Sequence, residues 1–355
     1  MIQLRSATLA DAPQVALLSR QFLGETDAAA WKQRWETYPL RRHFDDIPIG
    51  WVLEDEQGGI RGAFANLHML YDIGGRRVRA GIGCEWVVDP GCRGMSLLLL
   101  NAFLQQPAAD LCLVGSASPV TAQILDRLKL PHIPAPDYDA PLIWALNPVK
   151  FAAAALRKRK PGWPTLLAPV AGLGLRLYDI ARRSGSGLPS LTVIRNQSSF
   201  DEGFDELWPR LGSGAKCLRA IRSREVLDWR FEAAGRNLVV SERGGRLAGY
   251  AVLVRRQGAD PGLNLSYVAD LQAAGEDPAV FRDLLLGCLR RAAGEGADGL
   301  KFSTANPQKR SAALSLHPHS YRIPFWQMFY QANNPDLARL LEDPSSWDFS
   351  LFDTY

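Results

Sequence analysis

The sequence predicts an α/β protein built as two mixed-sheet domains in tandem and joined by a partly helical linker. Three observations carry this. Strand and helix patterns interleave through both halves. Two unrelated features recur at one spacing. A segment of different composition separates the copies. The chain has 355 residues, enough for two to three domains at roughly 150 residues each. Hydrophobic residues make up 47% and charged residues 22%, a globular balance that excludes a disordered or fibrous chain.

Ile2 and Leu4 alternate with Gln3 and Arg5 as in a short strand. Asp11 and Pro13 read as the start of a helix that carries Val15, Leu17, Leu18 and Phe22. A strand from Trp51 turns at Gly58-Gly59, returns from Ile60 to Leu67, and turns again at Gly74-Gly75. The next strand runs to Val88 and stops at Asp89-Pro90-Gly91. An apolar helix from Ser96 to Phe103, a buried strand at Leu111–Val114, a helix from Thr121 to Leu130 and a strand at Leu142–Leu146 complete the first unit.

The second half repeats this order. Gly62 and Gly249, each on the return strand of a Gly-Gly hairpin, are 187 residues apart (249 − 62). Ser116 and Ser303, each after a short strand and before a Pro-led helix, are also 187 apart (303 − 116). One offset over two unrelated features indicates two copies of one fold. The expected boundaries are 1–148 for the first domain, 149–190 for the linker, 191–340 for the second domain and 341–355 for a C-terminal tail. The linker holds Arg157-Lys158-Arg159-Lys160, Pro161-Gly162-Trp163-Pro164, an apolar stretch, and Arg182-Arg183-Ser184-Gly185. Residues 157–183 suit peripheral contact with a membrane surface or an acidic partner. A solvated basic turn beside a docked connector helix is the simpler alternative.

The net charge of +4 (41 basic, 37 acidic) is too small to indicate a nucleic-acid partner. Five cysteines without C-x-x-C spacing support neither a metal site nor a disulfide framework, and fit reduced thiols in the cytoplasm. The N-terminus lacks a signal-peptide pattern, and no stretch reaches the roughly 20 apolar residues of a membrane span. The five histidines are scattered, so no metal is expected.

Three segments resemble the GNAT superfamily of N-acetyltransferases. Ile2–Ala12 is similar to its first strand and helix. Trp86-Val-Val-Asp-Pro-Gly-Cys-Arg-Gly-Met-Ser96 resembles its central strand and coenzyme-binding loop. The Ser118-Pro119 turn and following helix look like its later part. The whole chain resembles a tandem GNAT protein, similar to bacterial ones associated with polysaccharide or cell-envelope biosynthesis. The resemblance implies transfer of an acyl group, such as acetyl, from acetyl-CoA or another acyl-CoA to the amine of a small molecule or sugar precursor. It places the coenzyme in the N-terminal domain on Trp86, Val87, Val88, Arg93, Gly94, Met95 and Ser96. A small-residue turn entering a helix offers unpaired amides and a positive dipole to a pyrophosphate. Glu85 on the same strand is the candidate catalytic base, displaced from the family's usual register, where Ile82 falls, unless a bulge intervenes. Two departures stand out. Leu98 replaces a small residue of the loop, and Leu125 occupies the position of the family's acid tyrosine. In the second copy Leu271–Pro278 replaces the loop, with Asp277-Pro278 as a plain helix cap. Trp31 and Trp35 suit core packing or a sugar ring, and Asp228-Trp229-Arg230 resembles a Trp-Arg pair of related acyltransferase domains. An alternative stays open: a non-catalytic GNAT-fold binding or scaffold protein.

Overall fold

The structure, a computed structural model, describes residues 2–23, 27–115, 117–135, 137–159, 168–183, 193–211, 217–232, 237–256, 262–325 and 327–354. Ser116, Pro161–Pro164 and Ser184–Gly187 lie outside them, so one residue of the repeat anchors and two stretches of the expected linker are not described.

The first half runs β1 (Ile2–Ser6), α1 (Ala12–Leu23), α2 (Ala28–Glu36), β2 (Gly50–Asp55), β3 (Ile60–Ile73) and β4 (Arg76–Val88). It continues with α3 (Ser96–Leu104), β5 (Leu111–Val114), α4 (Pro119–Arg127) and β6 (Leu142–Ala145). Two helices follow, α5 (Pro148–Arg159) and α6 (Ala168–Arg183). The second half is β7 (Val193–Gln197), α7 (Gly203–Leu211), β8 (Arg219–Ala220), α8 (Arg224–Phe231), β9 (Asn237–Arg243) and β10 (Arg246–Arg256). Then come β11 (Leu265–Ala273), α9 (Pro278–Gly294), β12 (Gly299–Phe302), α10 (Pro307–Leu314), β13 (His319–Ser320), β14 (Phe329–Ala332) and α11 (Pro335–Leu341).

The local chemistry matches these elements. Ser118 and Asn306 cap α4 and α10 through their side chains, and each is followed by a proline suited to the first turn. The first helix differs from the sequence reading. Thr8 caps a 3₁₀ turn at Leu9–Asp11 that leads into α1, and the Asp11 carboxylate accepts from the Thr8 amide and pairs with Arg5. That pairing holds the Asp11 carboxyl below its usual range.

Two seven-stranded sheets result, ordered β1-β2-β3-β4-β5-β14, with β8 joined to β3, and β13-β6-β12-β11-β10-β9-β7. The sheets do not follow the halves of the chain. β6 pairs antiparallel with β12 in the second sheet, and β14 pairs antiparallel with β5 in the first. Leu142 and Phe329, where these strands begin, are again 187 residues apart (329 − 142). The repeat therefore extends to a reciprocal exchange of strands.

Alternation along the strands gives each sheet two apolar faces. Ala12, Val15, Trp31 and Trp35 of α1 and α2 pack on Val52, Ala63 and Val87. The two tryptophan rings lie 4.4 Å apart in this core. The other face, with Leu53, Phe64 and Ile82, joins Leu99 and Phe103 in a core that runs into the second half through Phe204, Leu227 and Tyr250. Leu125 is fully buried in it. No helix of the described residues is long and apolar enough to cross a membrane.

Candidate active site

β4 and β5 run parallel from Ala80↔Leu111 to Gly83↔Val114 and pair no further. β4 continues to Val88, held by β3 alone, with a register shift opposite Phe64. The sheet therefore splays beyond Gly83, and residues 84–88 turn one backbone edge away from β3 without a described strand on it. Glu85 stands at the irregularity with φ 51°. A non-glycine residue rarely occupies this region, and such strain persists where surrounding structure enforces it. The bulge that the sequence left open is thus present.

Each predicted residue can be placed. The Glu85 side chain is 7% exposed, and its Oε1 pairs with Arg34 Nη1 from α2. Its Oε2 is buried with no hydrogen-bond partner, as is the Trp86 Nε1 donor. Trp86 packs on Phe64 with centroids 5.7 Å apart. Val87 lies in the core beneath α1, and Val88 pairs with Gly62. Burial pushes the neighbouring Cys84 thiol up to about 12, with the adjacent Glu85 adding to the rise, so it is no nucleophile near neutral pH.

The loop after β4 is helical. A 3₁₀ helix at Pro90–Met95 runs directly into α3. Its amides are largely engaged: Gly91 donates to Asp89 Oδ1 at 2.9 Å, Cys92 to the Asp89 carbonyl at 2.8 Å and Ser96 to the Arg93 carbonyl. Arg93 and Gly94 are exposed, and Met95 and Ser96 are half-buried. A Cβ on Gly94 would meet nothing within 4 Å, so no close packing requires glycine there. Leu98 is exposed.

Elements distant in sequence build the other wall. The C-terminal segment, placed by sequence in a tail, enters between the sheets with Trp347, Phe349 and Phe352 buried. It ends at the splay: a Cβ on Gly115, just past β5, would lie 3.4 Å from Thr354 Cγ2. Arg230 of α8 donates Nε–H to the Phe352 carbonyl at 2.9 Å and Nη2–H to the Thr354 carbonyl. Trp229 packs on Tyr38 at 4.7 Å. A groove of about 510 Å³ lies between Arg34, Thr37 and Leu67 on one side and Trp229, Arg230 and Glu232 on the other. Asp228-Trp229-Arg230 was the part of this wall that the sequence singled out.

The matching place in the second sheet is filled. β11 and β12 part after Val268↔Phe302, beside a register shift between Val252 and Leu253. Ser350 pairs with Thr304 there and donates its Oγ–H to the Ala269 carbonyl at 3.3 Å. Asp270 is wholly buried against Arg222 at 2.9 Å and accepts from Tyr250 at 2.7 Å. Arg222 also lies 3.6 Å from Asp353. Beside them Asp348 pairs with Arg219 and Lys309, which hold its carboxyl far below the usual range against the effect of burial. Asp277 caps α9 through the Ala279 amide at 2.9 Å, as the sequence predicts.

No family model matches the sequence. No curated protein matches it either. Solved structures do resemble the fold. A probable N-acyltransferase from Enterococcus faecalis V583 superposes at TM-score 0.58 with 11% identity, covering 94% of this chain and 72% of that one. A GCN5-related N-acetyltransferase from Anabaena variabilis gives 0.56 at 13% identity, over 94% and 73%. Saccharomyces cerevisiae N-myristoyltransferase with bound myristoyl-CoA gives 0.54 at 12% identity, over 94% and 86%. The chain thus has the tandem GNAT fold, with two mixed α/β sheets.

Proposed function

We propose that this protein is an acyl-CoA-dependent N-acyltransferase that works at the splay of its first sheet. One observation carries the reading: Glu85 Oε2 is buried and unpartnered at a left-handed bulge beside an open strand edge. A buried acceptor without a donor is costly, and an incoming amine supplies one. In this reading the edge at Trp86–Val88 receives the pantetheine amides of the coenzyme, which the N-terminal half holds. Arg93, Gly94, Met95 and Ser96 face its phosphates. Because Asp89 occupies the Gly91 amide, the Arg93 side chain supplies most of the attraction there. The amine enters by the groove under Trp229, and Glu85 takes its proton as nitrogen attacks the thioester carbonyl; the C–S bond breaks as the amide forms, and coenzyme A leaves as a thiolate that takes up a proton from solvent. Positioning supplies much of the rate, which suits a site with leucine where an acid tyrosine is expected. Acetyl is the proposed group. A polar amine such as an amino sugar fits a groove lined by Gln33, Thr37 and Glu232. The cytoplasm, where thiols stay reduced, is the proposed compartment.

Asp89 favours a second reading, a GNAT-fold binding protein without transfer activity, because its carboxylate stands where a phosphate would approach. Thermal shift with acetyl-CoA and longer acyl-CoAs separates the two. Binding at a hundredfold excess over Kd adds about 2.7 kcal/mol. Glu85→Gln should then lower kcat by about 10²-fold or more at unchanged coenzyme affinity, and Arg93→Ala should weaken binding. No stabilisation by any acyl-CoA would leave the binding-protein reading.

A further inference from the structure

We infer that the α5–α6 hairpin is a docking surface for an anionic lipid bilayer. α6 is held to the protein by one face. Ala168 and Gly172 are buried, and a Cβ on Gly172 would lie 2.7 Å from Val149 Cα at the start of α5. The opposite face is apolar and open. At 100° per residue, Val170, Leu173 and Leu177 fall within about 60° of one another and point away from Gly172. Val170, Leu173 and Leu177 are 57–72% exposed, whereas Tyr178, off the stripe, stacks on His319 at 6.1 Å. The packing of α6 therefore leaves its apolar stripe uncovered.

The charge identifies the occupant. α5 and α6 together carry seven Lys and Arg against one acid, Asp179, a net charge of +6. The chain as a whole carries +4, so everything else sums to −2. Lys150 is neutralised by Asp298 at 3.0 Å, whereas Arg157 and Arg176 pair with no described acid. A net-basic helix pair that exposes an apolar stripe fits a helix lying in the bilayer interface. A second copy seated on the same face would set +6 against +6, which disfavours self-association. The basic helices reach anionic headgroups while the stripe enters the acyl boundary.

The test is co-sedimentation of the full chain with phosphatidylcholine vesicles, with and without about one third phosphatidylglycerol. The expected result is binding to the anionic vesicles alone, weakened by about 0.5 M salt. Arg176→Gln should weaken partition about fivefold, and Leu173→Glu with Leu177→Glu about tenfold or more. All three side chains are exposed, so the variants should melt like the parent. Absence of binding to anionic vesicles, or full binding by the double leucine variant, overturns the inference. So does a dimer of the parent, without vesicles, that the same variant dissociates. None of these readouts depends on acyl-CoA.

Discussion

Arg222→Met tests what holds the C-terminal segment in the second sheet. The methionine keeps much of the volume and removes the charge. Arg222 and Asp270 are both fully buried, with Nε 3.1 and 2.9 Å from the two carboxylate oxygens. Removing one partner of a buried pair costs about 3–5 kcal/mol, because the other charge stays uncompensated. Asp270 keeps hydrogen bonds from Tyr250, Gln272 and the Leu271 amide, which places the expected loss at the low end, about 3 kcal/mol. The surrounding cluster sets Arg219, Arg222 and Lys309 against Asp270, Asp348, Asp353 and Glu276. Arg222→Met with Asp270→Asn removes one charge of each sign and should recover about 1–2 kcal/mol. Urea unfolding of the four proteins in the cycle measures this. A single-variant loss under about 1 kcal/mol, or a double variant less stable than the single, refutes the reasoning.

Two further outcomes follow from packing and burial. Gly249→Ala should destabilise by about 2–3 kcal/mol in the same assay, because its Cβ would lie 2.5 Å from the Gln272 carbonyl oxygen, whereas Gly62→Ala meets the end of the Leu53 side chain and should lose less. Burial pushes the Asp139 carboxyl up to about 6, above its unfolded value, so the folded chain holds the extra proton and stability should fall as pH rises from about 4 to 6. The loss is on the order of 1 kcal/mol after solvent screening, and Asp139→Asn should make that part of the stability curve shallower.

Much of the architecture was legible because it is written locally. Gly-Gly hairpins, Pro-led helix starts and the 187-residue offset each depend on residues close in sequence. The strand exchange was not: Leu142–Ala145 reads as a buried strand whichever sheet takes it. Nor was the C-terminal wall, although Trp347, Phe349 and Phe352 interleaved with Asp348, Ser350 and Asp353 was a visible sign of a partly polar core segment. Glu85 stood out as a charge among apolar neighbours, but its partner Arg34 lies 51 residues away and carries no local mark. The coenzyme loop was legible as a turn before a helix. That Asp89 would cap that turn is an ordinary consequence of Asp-Pro-Gly, where the carboxylate reaches the amide two residues on.

The reciprocal placement of β6 and β14 bears on how the chain matures as it leaves the ribosome. The first sheet cannot acquire its outer strand until Phe329–Ala332 has been synthesised, long after β5, its neighbour, is complete. A nascent chain stopped between the halves would therefore expose β5 as a bare sheet margin and leave β6 without its sheet, and each half becomes the other's template for completion.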